Sequence, residues 1–371
     1  MGGITNKLIS EYMKISSNIS NTNYDSIVST GEQYCSAVLT TMLLEKKIKA
    51  RSLLGWQIPI ITDSNFSRAR IKNIDDSFIK KEFLKYDVLI IAGFQGVTFN
   101  QEITTLGRGG SDTSAVAVAA ALGTSKCEIY TDVEGIFTSD PKIVTKARKI
   151  SFITHEEILE MASLGSKVLH PRSVELAMKY GITVHVRSSF VNKDGTLVVK
   201  EEKKLEEEVV TGIASSENDA KITLKGIPDK PGVAAKIFGL LANADINVDM
   251  IVQNVTDDGK FASITFTVPL IDASDSVSVI KKSNIKFENI HLDSKICKIS
   301  IVGVGMKSNV GVAQKMFETL ANKNINIQVI STSEIKISVL ISSKKKRVAL
   351  NALHAVYELD LKKSKKKNDF K

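Results

Sequence analysis

Runs of apolar residues divide the first half of the chain into short strands separated by helices. Residues 87–92 (DVLIIA) are apolar without interruption after Asp87, which predicts a strand buried on both faces. Further strands are predicted at residues 50–56, 58–62, 126–132 and 182–187. Because helical spacing separates these runs, the order of elements between residues 27 and 187 is of the βαβ type. That order predicts an α/β domain with a sheet between layers of helices.

One predicted helix begins near residues 27–33 and carries polar residues at its predicted start. Ser29, Thr30 and Glu32 lie there, where they could cap the helix or contact a ligand, and the pattern favours the cap. The residues available for its buried stripe are Tyr34, Val38, Thr41, Met42 and Leu44.

The second half of the chain contains an internal duplication. Residues 232–251 match residues 311–330 without a gap, at an offset of 79, and 11 of the 20 positions are identical. Each copy has the pattern strand, helix, strand, hairpin, strand and helix, which predicts a βαββαβ module. Neither copy carries a nucleophile and base pair or clustered carboxylates, so we interpret both as binding or assembly modules.

A glycine-rich stretch at residues 104–115, TTLGRGGSDTSA, precedes a helix predicted for residues 115–122. Gly107, Gly109 and Gly110 permit close backbone approach, and residues 111–114 offer N-cap side chains. A helix N-terminus after such a turn favours an anion, and Arg108 has the planar fork that suits a carboxylate or phosphate. No lysine follows the glycines, so this is not a Walker A loop, and a plain strand-to-helix turn is the alternative interpretation.

Other candidate residues follow predicted strands. Asp132, Glu134 and Asp140 form an acidic loop after the strand at residues 126–132, and Lys167 and Arg172 precede a later helix. Ligands of open α/β sheets bind where strands end, so these residues are candidates for a site.

Charge and cysteine usage exclude several classes of protein. The net charge is +9, but residues 362–371 hold six lysines against one aspartate, so +5 of it lies in this tail. The basic runs are not interleaved with aromatic residues, which argues against specific nucleic-acid binding. Three cysteines far apart favour a reducing cytoplasm. No apolar run is long enough for a transmembrane helix, and the N-terminus does not resemble a signal peptide.

Three ordered motifs resemble the signatures of aspartate kinases. They are TTLGRGGSDTS (104–114), YTDVEGIFTSDPK (130–142) and GSKVLHPR (165–172), and the repeats resemble tandem ACT modules that bind lysine or threonine. The resemblance implies an α/β protein, an amino-acid kinase αβα sandwich followed by two α+β ACT modules. The implied boundaries are a catalytic domain at 1–192, a linker at 193–210, modules at 211–294 and 295–361, and a basic tail at 362–371.

This resemblance implies phosphorylation of the β-carboxylate of L-aspartate by ATP and Mg²⁺, feedback regulation by lysine or threonine, and a homo-oligomer formed through the ACT modules. It assigns catalysis to Lys167, Asp112 and Arg108. It assigns aspartate binding to Thr30, Glu32, Arg108, Gly109, Gly110 and Ser111. It assigns nucleotide binding to Thr131, Asp132, Phe137, Lys142, Lys167 and Val168, and effector binding to Asp229 and Gln253.

The sequence departs from the family pattern at its start. Family members carry a strand and a Lys-Phe-Gly-Gly-Thr-Ser segment before the Met-Gly-Gly with which this sequence begins. We therefore expect one phosphate-binding lysine and one strand to be missing from the sequence as given. An inactive remnant or regulatory subunit that binds amino acids is the alternative, and a uridylate or glutamate kinase is a further one that the paired repeats disfavour.

Overall fold

A computed structural model describes residues 3–164, 168–200 and 209–361. By their contacts, these residues form two compact units. The first contains the described residues up to Ile136, together with Ile150–Ala162 and 168–200. The second contains Phe137–Lys149, residues 163–164 and residues 209–361. Segment Phe137–Lys149, which interrupts the first unit in the sequence, therefore belongs to the second unit.

The first unit alternates helices and strands. Its helices are α1 Ile4–Met13, α2 Thr22–Glu45, α3 Asp76–Glu82, α4 Gly110–Ala121, α5 His155–Ser163 and α6 Pro171–Tyr180. Its strands are β1 Ala50–Leu53, β2 Ile60–Thr62, β3 Ile71–Ile74, β4 Val88–Ile91, β5 Gln95–Val97, β6 Ile103–Thr105, β7 Lys126–Thr131, β8 Phe152–Thr154, β9 Thr183–Ser188 and β10 Thr196–Val199. The α/β interpretation is confirmed.

These strands form three groups. β1 pairs with β4 in parallel, a second sheet has the order β3-β2-β5-β6, and a third has the order β7-β9-β10-β8. All four residues of β4 are half-buried, whereas its continuous apolar run predicted burial on both faces. The antiparallel pair β5 and β6 leads directly into the glycine-rich turn, so this sheet positions the candidate site.

Two predicted helix starts are wrong. The second helix begins at Thr22, where the side chain of Asn21 accepts a hydrogen bond from the backbone N–H of Tyr24 and caps the helix. Ser29, Thr30 and Glu32 therefore lie inside α2 and cap nothing. Its predicted buried stripe is also wrong at four of its five positions, since Thr41 is exposed and Tyr34, Met42 and Leu44 are 58%, 55% and 51% exposed.

The central helix begins at Gly110 rather than Ala115, and its N-cap is Gly109 rather than a residue of 111–114. Gly109 has φ 67°, a left-handed conformation that side-chain caps do not adopt. The polar residues that follow it therefore occupy the first turn of α4.

The second unit contains two α+β modules. Its helices are α7 Val233–Asn243, α8 Ala273–Lys281, α9 Val312–Asn322 and α10 Lys346–Val356. Its strands are β11 Gly212–Ser216, β12 Asp219–Pro228, β13 Asp249–Val255, β14 Phe261–Pro269, β15 Asn289–Asp293, β16 Ile296–Val302, β17 Val329–Thr332 and β18 Lys336–Ser342. No described helix in either unit is long and apolar enough to cross a membrane.

The two modules differ in how their sheets are completed. The first sheet has the order β13-β14-β12-β15, which is the βαββαβ arrangement expected from the duplication. The second has the order β11-β16-β18-β17, so its fourth strand comes from residues before the first module. The boundaries 211–294 and 295–361 therefore place β11 in the wrong module, because β11 pairs antiparallel with β16 along its length.

Candidate active site

The glycine-rich turn joins β6 to the N-terminus of α4 through two left-handed glycines. Gly107 has φ 75° and Gly109 has φ 67°, and the backbone N–H of Gly110 donates to the Gly107 carbonyl at 3.0 Å. Gly109 also accepts hydrogen bonds from the backbone N–H and the hydroxyl of Thr113, at 3.1 and 3.0 Å. The turn thus presents backbone to a ligand at a helix end whose dipole favours negative charge.

A buried carboxylate on α2 fixes the strand before this turn. Asp25 is fully buried and accepts hydrogen bonds from the Thr105 backbone N–H at 2.8 Å and the Thr105 hydroxyl at 2.6 Å. The Ser67 backbone N–H donates to both of its oxygens, at 3.0 and 2.9 Å. Burial raises the pKa of Asp25 above its ordinary value, although these hydrogen bonds act in the opposite direction. Asp25 therefore ties α2 to the last residue of β6.

The other side of the turn is held by the start of α6. The Arg172 guanidinium donates to the Leu106 carbonyl at 2.6 Å and to the Ala69 carbonyl at 2.9 Å. Gly109 packs against His170 so closely that a Cβ added at Gly109 would lie 2.2 Å from the His170 Cβ. The turn is therefore fixed on both sides by residues outside it.

Arg108 and Asp112 are the charged side chains of this turn and the first turn of α4. Arg108 is exposed, and its guanidinium has no ion pair with any residue of the described ranges. Burial raises the pKa of Asp112, although the His170 backbone N–H donates to its carboxylate and acts in the opposite direction. Burial, together with the carboxylates of Asp112 and Glu128, raises the pKa of Cys127 to about 11, so this thiol stays protonated at neutral pH. Because Arg108 is exposed and has no ion pair within the described ranges, its guanidinium is free to bind an anionic ligand.

Glu32 shares one face of α2 with two residues that contact this sheet. Asp25, Ser29 and Glu32 are spaced i, i+4 and i+7, so they follow one another along the helix. The Ser29 carbonyl accepts a hydrogen bond from the Gln95 side chain of β5 at 3.3 Å. Burial raises the pKa of Glu32. Thr30 points elsewhere: it is exposed, and its hydroxyl donates to the Ile27 carbonyl at 2.7 Å.

The residues assigned to the nucleotide fall in different parts of the structure. Thr131 and Asp132 lie together at the end of β7, where the Thr131 hydroxyl donates to the Asp132 carboxylate at 3.1 Å. Phe137 and Lys142 belong to the segment that packs with the second unit. The remaining two are Val168, which is half-buried, and Lys167, which lies outside the described residues.

Asp229 and Gln253 line one cavity in the first module. The cavity has a volume of about 390 Å³ and lies where β12 turns into α7, with β13 and β14 forming another wall. Both side chains are exposed to it or to solvent. The structure therefore brings the two residues assigned to the effector together.

Asp25 offers a test of how the turn is held. We expect Asp25→Asn to lower the free energy of unfolding by about 2–3 kcal/mol, because the amide N–H₂ would face backbone N–H donors and leave one of them buried and unpaired. Chemical denaturation monitored by circular dichroism measures this change. Ser36→Ala is the matched control, because Ser36 is also buried on α2 but donates only to the Gln33 carbonyl. Equal, small losses in both variants would contradict the role of Asp25.

Sequence reasoning missed Asp25, Gln95 and the contact of His170 with Gly109. Asp25 is a single acidic residue in a helix, and its partner Thr105 is 80 residues away, so no local pattern identifies the pair. The His-Pro-Arg order at the start of α6 was the available signal, since His170 caps this helix and Pro171 begins it.

Comparisons with known proteins were made for the whole chain. The model of the amino acid kinase family matches residues 1–188, and ACT domain models match residues 222–282 and 299–357. An aspartokinase of Pseudomonas aeruginosa is 48% identical over 364 residues, covering 97% of this chain and 88% of the relative. An aspartokinase of Helicobacter pylori is 47% identical over 364 residues, covering 97% of this chain and 90% of the relative.

Solved structures give the same similarity. The chain resembles Escherichia coli aspartokinase III in complex with aspartate and ADP, with a TM-score of 0.80, 26% identity, and coverage of 94% of this chain and 78% of that one. It also resembles the same enzyme in complex with lysine and aspartate, with a TM-score of 0.70, 27% identity, and coverage of 90% and 75%.

Proposed function

The chain belongs to the aspartokinase family, and from this we propose that it transfers the γ-phosphoryl group of ATP to the β-carboxylate of L-aspartate. The products are ADP and 4-phospho-L-aspartate, in the first step toward lysine, threonine, methionine and diaminopimelate. The proposal rests on the Gly107–Gly110 turn at the N-terminus of α4, which is held by residues on both sides and contains the exposed Arg108.

The chemistry requires little from a general base. An aspartate side chain, with a pKa of about 3.9, is already ionised at neutral pH, so its oxygen can attack the γ-phosphorus directly. The new P–O bond forms as the bond to the oxygen bridging the β- and γ-phosphates breaks, and ADP takes the electron pair. Catalysis then depends on in-line positioning and on neutralising charge at the transferring group.

The aspartate site is built from the turn and α2. We infer that the Arg108 guanidinium binds a carboxylate of aspartate and that Glu32 binds its α-ammonium group. Gly109, Gly110 and Ser111 would present backbone and hydroxyl groups to the same ligand. Thr30 is exposed and bonded to its own helix, so its support comes from the resemblance alone.

The nucleotide site is inferred from Thr131, Asp132, Phe137, Lys142 and Val168, with Lys167 and Asp112 acting at the phosphates. Mg²⁺ would be carried by the phosphates of ATP, where it neutralises charge, because it typically uses few protein ligands. Within the described ranges, no cluster of three or more His, Cys, Asp or Glu side chains could hold a metal.

Formation of aspartyl phosphate can be trapped with hydroxylamine, which converts the acyl phosphate to a coloured hydroxamate. We expect hydroxamate to form only when ATP, Mg²⁺ and aspartate are all present. Turnover with glutamate or uridylate in place of aspartate would instead favour another enzyme of the amino-acid kinase fold.

We also infer that the two modules assemble copies of the chain in a reducing cytoplasm. The edge strands β13 and β17 carry the exposed apolar residues Ile251 and Ile330, 53% and 44% exposed, and pairing of such edges is a common way to cover them. The three cysteines are free, as expected in a reducing compartment. A monomer in light scattering at micromolar concentration would contradict assembly.

The cavity that Asp229 and Gln253 line is the inferred effector site, with lysine or threonine as its ligand. We expect Gln253→Ala to weaken inhibition by the effector about tenfold, because one polar contact to the ligand is lost. Inhibition curves for both amino acids measure this shift. Thr332→Ala is the matched control, since Thr332 occupies the equivalent position of the second repeat at the same offset of 79. An equal shift in the control would contradict an effector site in the first module.

A further inference from the structure

Segment Phe137–Lys149 lies within the kinase half of the sequence but packs into the second module. Val144 is 1% exposed and belongs to the hydrophobic core that β16, β18, α9 and α10 build. Ile143 and Ala147 pack against the same core. A loop that contributes a buried side chain to a neighbouring core is fixed by that core.

Thr138 forms hydrogen bonds through both its backbone and its side chain. It is fully buried, its N–H donates to the Arg148 carbonyl at 2.8 Å, and its carbonyl accepts from the Ile213 N–H at 2.8 Å. The Arg148 N–H donates to its hydroxyl oxygen at 2.9 Å. Thr138 thus links the start of the segment to its end through Arg148, and it links the segment to β11 through Ile213.

The fourth hydrogen bond of Thr138 is with His354 of α10. The Thr138 hydroxyl and the His354 Nε2 atom are 2.9 Å apart, and His354 is 2% exposed. Since the hydroxyl oxygen already accepts from Arg148, its proton is best donated to an unprotonated Nε2. Burial lowers the pKa of His354, which agrees with a neutral ring in this role.

Two further polar contacts link the segment to α10 and to the residues after it. Asn351 of α10 donates to the Ile143 carbonyl at 3.5 Å, and the exposed Lys146 faces Asp360, which follows α10, at 3.8 Å. Exposed ion pairs of this kind contribute little. The buried pair of Thr138 and His354 is thus a polar contact that holds the segment together with the apolar packing of Val144.

We propose that His354 is a positioning residue for nucleotide binding, acting through Thr138. The inference rests on the proposed function, which assigns Phe137 and Lys142 of this segment to the nucleotide. Thr138 directly follows Phe137. The turn at Lys142, whose N–H donates to Asp140 at 2.9 Å, lies in the sequence between Thr138 and Arg148, which hydrogen-bond to each other. Helix α10 of the second module thereby holds the conformation of a segment assigned to the nucleotide.

The test compares two variants that each remove one buried hydrogen bond from the second module. His354→Leu removes the bond to the segment, whereas Ser300→Ala removes the buried hydroxyl pair of Ser300 and Ser338, 2.6 Å apart, which does not involve the segment. We expect His354→Leu to raise the KM for ATP about fivefold, the effect of one hydrogen bond, and to leave the KM for aspartate unchanged. His354→Gln, whose amide oxygen can accept the same proton, is expected to restore most of the affinity.

Hydrogen exchange of the backbone amides supplies a second readout. The amides of Thr138 and Arg148 should exchange faster in His354→Leu and at the wild-type rate in Ser300→Ala. An unchanged KM for ATP in an active His354→Leu protein overturns the inference, whether or not exchange changes. Failure of the wild-type chain to bind ADP or form aspartyl phosphate refutes the proposed function instead.

Discussion

Replacing Gly109 with alanine is expected to lower kcat/KM for aspartate by about 10²-fold or more, because displacement of catalytic groups by one ångström has effects of this size. The new Cβ would lie 2.2 Å from the His170 Cβ and 2.3 Å from its Cγ. His170 is the N-cap of α6, and Arg172 in the first turn of α6 holds the Leu106 carbonyl. The turn must therefore move, and Arg108 and the first N–H groups of α4 move with it. Steady-state kinetics with the hydroxamate assay measures the loss.

Gly123→Ala separates this clash from backbone strain. Gly123 follows α4 and has φ 68°, almost the value at Gly109, but a Cβ there would meet no described atom within 4 Å. Both variants bear the left-handed strain of a non-glycine residue, about 1–2 kcal/mol. We expect Gly123→Ala to be less stable yet fully active. Similar activity in the two variants would show that close packing against His170 has no part in catalysis.

Removal of the Arg108 side chain should have an effect of similar or larger size. We expect Arg108→Ala to lower kcat/KM for aspartate by about 10²–10³-fold, the usual loss when one preorganised charge-stabilising group is removed. Arg108 is exposed, and its guanidinium has no ion pair within the described part of the chain, so the folded protein should keep its stability. If Arg108→Ala unfolds at the same temperature as the wild type, the loss of kcat/KM reflects ligand binding and not a damaged fold.

Arg108→Lys distinguishes a charge from a planar fork. Lysine keeps the positive charge but donates from a single nitrogen. We therefore expect kcat/KM for aspartate to be about tenfold higher in Arg108→Lys than in Arg108→Ala, and still below that of the wild type. Complete recovery would mean that charge alone is required at this position. An active Arg108→Ala protein would exclude the turn as the aspartate site.

The duplication and the α/β alternation were predictable because each depends on local pattern. Apolar periodicity and the 11 identities in 20 positions identify the modules without any long-range information. Both modules then have the predicted helices and strands.

The helix starts were predicted wrongly because competing caps are chosen by tertiary structure. Asn21 and Ser29 are both acceptable caps, and the helix extends to the earlier one since Asp25 and Ser29 are needed on its inner face. Gly109 replaces the side-chain caps of α4 because the turn must pass close to His170. The partner of Asp25 lies 80 residues away, which puts this contact beyond any local pattern.

The origin of the strand that completes the second sheet was not predictable either. β11 and β16 belong to the same sheet, but the whole first module separates them in the chain. Sequence similarity finds the repeated part of each module and gives no information on a non-repeated edge strand. The packing of Phe137–Lys149 with the second unit escaped prediction for the same reason.

The pairing of Thr138 with His354 also sets an order of events during synthesis. The two residues are 216 positions apart, and chains emerge from the ribosome N-terminus first. The first module, from β12 to β15, is contiguous and can fold early, whereas the second sheet closes only once β16 has joined β11. α10 follows still later, so a nascent or prematurely terminated chain holds Phe137–Lys149 without its partner. Under the proposed role of His354, the segment therefore reaches its binding conformation only after α10 has been made.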